Sequence, residues 1–141
     1  MKEEKGCGYL LKQINDRLEK NANNILRTQD VTMSQLGALL ELSRAPEGQL
    51  SLKELEKVLH VAQSTMAGII SRLERKGLVE PLADAGDRRI KLVQITGPGL
   101  ERARAAELHR SETEERLLCG LTREERSIFY TLLKKVHDSL G

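Results

Sequence analysis

The chain has no tryptophan, one phenylalanine and two tyrosines, so aromatics make up only 2% of its 141 residues. A core must therefore be packed from Leu, Ile, Val and Ala. Three prolines and eleven glycines are too few for a disordered or repetitive chain. The two cysteines, Cys7 and Cys119, have no CxxC spacing, which excludes a disulfide framework. No apolar run approaches the roughly 18 residues of a membrane span. The start, Met1-Lys2-Glu3-Glu4-Lys5-Gly6, lacks a signal-peptide core, so the expected location is cytoplasmic with no membrane partner. An excess of one charge is also missing. Twenty-three basic residues face 21 acidic ones, for a net charge of +2. That excludes the bulk basicity of a nonspecific nucleic-acid coat.

What is present fits one domain of ordinary size. Apolar residues reach 39%, and the Leu, Lys, Glu and Arg content favours helices. Leu10, Leu11, Ile14, Leu18, Ile25 and Leu26 recur at helical spacing and predict an amphipathic helix from about Gly8 to Arg27. Thr32-Met33-Ser34-Gln35 has the form of a capping box, with Leu36, Leu39 and Leu40 as the buried face of the helix it opens. Ser43 to Gln49, with Pro46 and Gly48, reads as a loop. A second box, Ser51-Leu52-Lys53-Glu54, opens a short helix faced by Leu52, Leu55, Val58 and Leu59.

After the turn His60-Val61-Ala62, the next helix is predicted over about Gln63 to Lys76. Met66, Ile69, Ile70 and Leu73 form its buried side. Two short helices joined by a tight turn are a helix-turn-helix pattern. A strand at Leu78-Val79, a turn with Gly86 and Asp87-Arg88-Arg89, and a strand from Ile90 to Ile95 add a hairpin wing. Thr96 caps a helix running to about Cys119, with Pro98 in its first turn. The middle of that helix, His109 to Arg116, is almost wholly polar and is expected to project into solvent. Thr122-Arg123-Glu124-Glu125 opens the last helix, striped by Ile128, Phe129, Leu132, Leu133, Val136 and Leu140. The expected fold is mainly α, about six helices with a small β-hairpin wing: a winged helix-turn-helix.

The helix over Gln63–Lys76 carries the chemistry. With Met66 at the centre of its buried side and about 100° per residue, Ser64, Gly68, Ser71 and Arg75 fall on the opposite side, flanked by Ala67 and Arg72. Small residues let the backbone approach base edges, and hydroxyls donate or accept there. Arg72, Arg75 and Lys76 are placed to meet phosphates. Gln63 and Thr65 complete the helix start, and Ser51 and Lys53 are weaker candidates for the DNA backbone. At the hairpin tip a guanidinium fits the narrow minor groove. Asp87, which would repel phosphate, is read as the partner that orients an arginine. The bland alternatives are a solvated helix side and a charged turn. The helix-turn before and the hairpin after favour DNA.

Four segments resemble the MarR family of bacterial transcription regulators. They are Val31 through Leu42; Gln63-Ser64-Thr65 with Arg72-Leu73-Glu74-Arg75-Lys76-Gly77-Leu78-Val79; Asp87-Arg88-Arg89; and Leu92 through Thr96 with Gly99. The resemblance spans nearly the whole chain. It implies a homodimer whose terminal helices, 8–30 and 97–141, interlock, with a DNA-binding lobe over 32–96. Two recognition helices would face a pseudo-palindromic duplex operator about one turn, roughly 34 Å, apart. Arg89 would enter the minor groove, held by Asp87. Repression relieved by a small organic effector, often phenolic, or by an oxidant is the implied outcome. Two positions depart from the family pattern. Ala62 stands where a Ser, Thr or Asp commonly caps the recognition helix, and Pro81 in the first wing strand demands an edge position.

Oxidant-sensing relatives carry a reactive cysteine near the start of the first helix, with tyrosine partners. Cys7 lies close to that place, but Gly8 occupies the sensing position, and the tyrosines read Lys12 and Ala22. A redox-responsive regulator using Cys7 is thus an alternative. Cys119 is expected to be a buried small hydrophobe. His60, His109 and His137 show no metal-ligand spacing, so no cofactor is expected. A winged-helix module for protein–protein contact is a second alternative. An enzyme is not expected: no acid–base pair, nucleophile constellation or phosphate loop is present.

Overall fold

The structure is a computed structural model that describes residues 5–83, 86 and 90–141. Where the sequence offers a hydroxyl to a free helix start, a helix begins. The Thr32 hydroxyl accepts from Gln35 N at 3.2 Å, and Gln35 Oε1 accepts in return from Thr32 N at 3.3 Å. Thr122 and Glu125 make the same reciprocal pair at 3.1 and 2.9 Å. Ser51 Oγ accepts from Glu54 N at 3.1 Å. Each bond satisfies one of the backbone donors a helix start leaves unpaired.

Among the described residues six helices and three strands follow in order: α1 (Cys7–Gln29), α2 (Met33–Arg44), a single 3₁₀ turn (Pro46–Gly48), β1 (Gln49–Ser51), α3 (Leu52–Leu59), α4 (Gln63–Arg75), β2 (Val79–Ala83), β3 (Lys91–Ile95), α5 (Gly97–Leu118) and α6 (Arg123–Ser139). The α3–α4 turn is made by His60 in the left-handed region at φ 54°, with Val61 N donating to Glu56 O at 3.1 Å.

One correction concerns the sheet. The sequence predicts a two-stranded hairpin and a loop through Gln49. The structure has a three-stranded antiparallel sheet in the order β1-β3-β2. Gln49, Leu50 and Ser51 pair with Gln94, Val93 and Leu92. Three residues are too short to show alternation, and their pairing comes from a strand some forty residues away. Val79 to Ala83 pair with Ile95 to Lys91 on the other side. Pro81 thus lies in an outer strand, as a residue without an N–H requires.

The core is aliphatic. Leu39, Leu42, Leu55, Met66, Leu73 and Val93 are fully buried, drawn from α2, α3, α4 and β3. The start of α5 joins them through Gly99, Ala103 and Ala106. Thr96 secures this junction: its hydroxyl accepts from Gly99 N at 3.2 Å and donates to Gly77 O at 2.7 Å. Helix-turn-helix followed by a β2–β3 wing is a winged helix.

The chain divides into two compact units, Met1–Glu107 and Leu108–Gly141, with α5 running from one into the other. In the second unit Arg126 donates to Leu118 O at 3.1 Å and pairs with Glu115 at 3.2 Å. Ser111, Glu112, Glu114, Glu115 and Arg116 are exposed, as the polar middle of this helix predicts. Cys119 corrects an expectation: it is exposed, in the turn after α5 rather than in a core. Among the described residues no helix is long and apolar enough to cross a membrane.

Candidate nucleic-acid interface

Helix α4 is held by its apolar side and open on the other. Met66, Ile69, Ile70 and Leu73 are buried at i, i+3, i+4 and i+7. Gln63, Ser64, Thr65, Ala67, Arg72 and Arg75 are exposed, and Gly68 and Ser71 are half-buried. The structure therefore brings eight of the nine residues expected on the recognition helix to its open sides. Near the helix start that surface is small and polar, and near its end it is cationic.

Two details sharpen it. A methyl group added at Gly68 would meet only Arg72 Nη1, at 3.9 Å. Packing thus gives no reason for a glycine in the middle of a helix, where it costs about 0.5–1 kcal/mol relative to alanine. Arg75 Nη2 donates to Ser71 Oγ at 3.3 Å, so one guanidinium and one hydroxyl are already aligned. The helix start has no side-chain cap at Ala62, in keeping with its sequence.

The remaining candidates sort differently. Lys76 turns away from this face: its ammonium donates to Asp30 O at 2.6 Å and Gln35 Oε1 at 2.9 Å. Ser51 is buried, and its hydroxyl caps α3. Lys53 is exposed in a groove shared with Gln63, Ala67 and Lys91. Lys91, at the start of β3, is a nearby exposed cation that sequence reasoning missed; the signal was a lysine near the start of the second wing strand. Asp87, Arg88 and Arg89 lie outside the described residues. Cys7 is exposed as the first residue of α1. Among the described residues there is no cluster of three or more His, Cys, Asp or Glu able to hold a metal ion.

Known proteins share this arrangement. The model of the MarR family matches residues 29–90. Over 132 residues the chain is 30% identical to the multiple antibiotic resistance protein MarR of Salmonella typhimurium, covering 92% of this chain and 89% of that protein. It is 33% identical over 95 residues to the transcriptional regulator YwaE of Bacillus subtilis, covering 66% of this chain but only 54% of that relative. The crystal structure of the S. aureus MepR–DNA complex matches with a TM-score of 0.80 at 28% identity, covering 95% of this chain and 99% of that one. A helix-turn-helix with an open, polar-to-cationic second helix, a wing behind it and these likenesses over most of the chain lead to one conclusion: the chain belongs to the MarR family of winged-helix transcriptional regulators, which are not enzymes.

Proposed function

We propose that the protein is a sequence-specific double-stranded DNA-binding regulator that acts as a homodimer on a pseudo-palindromic operator. The open face of α4 carries this reading. Ser64, Thr65, Ala67, Gly68 and Ser71 offer small groups and hydroxyls, and Gln63 a carboxamide, to base edges in the major groove. Arg72 and Arg75 meet phosphates, which supply affinity without reading sequence. In the wing segment, which lies outside the described residues, Arg89 takes the minor groove with Asp87 orienting it, and Arg88 adds a further cation. Lys53 adds a backbone contact. Net charge is slight, so the grip depends on where these few cations sit.

Dimerisation is supported by apolar surface on both terminal helices. On α6, Ile128 is 58% exposed, Tyr130 67%, Leu132 54% and Val136 51%; on α1, Tyr9, Leu10 and Leu11 are exposed as well. A dimer seated across an operator covers DNA that a polymerase must reach, so repression is the expected result. Release by a small organic effector completes the reading. A cytoplasmic location follows from the same role.

Selection of bound duplexes from a random pool tests it. The expected result is an enriched palindrome, with binding lost after charge reversal at Arg75 and Arg89. Equal binding of operator-length duplex after both changes would sink the DNA reading and favour a protein-contact module.

A further inference from the structure

Lys76 is the last cation of the recognition segment, yet it does not face the way Arg72 and Arg75 do. Its ammonium reaches back to two acceptors in a distant part of the chain, Asp30 O at 2.6 Å and Gln35 Oε1 at 2.9 Å. They flank the elbow between α1 and α2: Gln35 lies in the first turn of α2, and Asp30 ends α1 in the left-handed region, at φ 54° and ψ 45°. The end of a helix leaves carbonyls unpaired and carries partial negative charge, which a cation offsets. Backbone N–H groups of Asp30 and Val31 satisfy Arg27 O and Leu26 O. Two further carbonyls at this end take side-chain cations: Gln29 O accepts from Arg102 Nη1 at 2.6 Å, and Asp30 O accepts from Lys76.

Gln35 makes the second half of the clasp specific. Its side chain is buried, and its Oε1 already accepts from Thr32 N to start α2. The same oxygen accepts from Lys76, so one atom joins the start of α2 to the exit of α4. Just beyond, Gly77 at φ 73° turns the chain towards β2.

We infer that Lys76 is a positioning residue, not a phosphate ligand: it locks the exit of the recognition helix onto the α1–α2 elbow. The inference rests on the DNA-binding, dimeric reading above. If α1 belongs to the dimer frame, this clasp sets how each α4 is presented to its half-site. Sequence-specific binding depends on that presentation. Nonspecific binding, which needs only phosphate neutralisation, depends on it far less.

The test uses the full chain, the duplex enriched by selection and an unrelated duplex of equal length. Affinities are measured from about 50 to 200 mM salt. Lys76→Met keeps the stem and removes the ammonium. It should weaken the selected duplex about tenfold, a typical size for coupling between sites. The unrelated duplex and the salt slope should stay at wild-type values, and Lys76→Arg should restore specificity. A salt slope shallower by about one, with equal loss on both duplexes, would identify a phosphate ligand and overturn the inference. Equal loss on both with an unchanged slope would mean a general loss of folded protein and overturn it too, as would no loss. If the wild type itself distinguishes no duplex, the DNA-binding reading falls first, and the inference with it; that arm needs no variant.

Discussion

Gly68 is where fold and function pull apart most clearly. An added methyl meets only an ordinary van der Waals contact, with Arg72 Nη1 at 3.9 Å. Gly68→Ala should therefore stabilise the free protein by about 0.5–1 kcal/mol, through reduced backbone entropy in the unfolded chain. Thermal melting should rise by a few degrees. In the same variant, operator affinity should fall, because the methyl occupies space that a base edge would take. A variant that gains stability and binds as well as the wild type would show that the backbone does not come close to DNA there. Ser51 gives the opposite lesson. Its hydroxyl is spent on the α3 cap, and the residue is buried, so its change would act on folding before it touched binding.

At the scale of elements, the join between the wing and α5 holds the closest approach at any of the described glycines. A Cβ at Gly99 would lie 2.1 Å from Leu78 O and 2.7 Å from Ile95 Cγ1. Backbone cannot give way as a flexible side chain can, so Gly99→Ala should destabilise the fold by more than about 2 kcal/mol. Gly97→Ala, two residues earlier and with nothing within 4 Å, is the matched control and should change denaturant midpoints little. Equal midpoints for the two variants would refute the close approach.

Much of this level was legible in the sequence. Capping residues marked the starts of α2, α3, α5 and α6, and i, i+3, i+4 spacing marked the buried side of α4. These are local signals, carried by residues within a turn or two. What was not legible was long-range. β1 is three residues that become a strand only because β3 lies beside them. Lys76 reads as one more cation at a helix end, and only the folded chain brings it to Asp30 and Gln35. Cys119 was expected inside because cysteine is often buried, but its place in the turn after α5 leaves it exposed.

For the whole molecule, the exposed apolar side chains of α1 and α6, Leu10, Leu11, Ile128, Leu132 and Val136 among them, are the surface the proposed dimer would use. In the proposed dimer they are covered. The wild type should sediment as a dimer at micromolar concentration, and Ile128→Glu with Leu132→Glu should shift it towards monomer or unfolded chain. Half-site spacing would be lost with the partner, so operator affinity should fall even though α4 is untouched. A wild type that sediments as a stable folded monomer would undermine this role for the terminal helices.

Pro81 has a consequence for how such a protein behaves when crowded. It sits in the middle of β2, the outer strand of the sheet, opposite Val93. A bare strand edge is a template on which another chain can add a strand, and repeated addition builds fibrils. Proline has no N–H to offer such a visitor, so the template is broken at its centre. The residue that departs from the family pattern in the wing thus makes this edge a poor seed for aggregation.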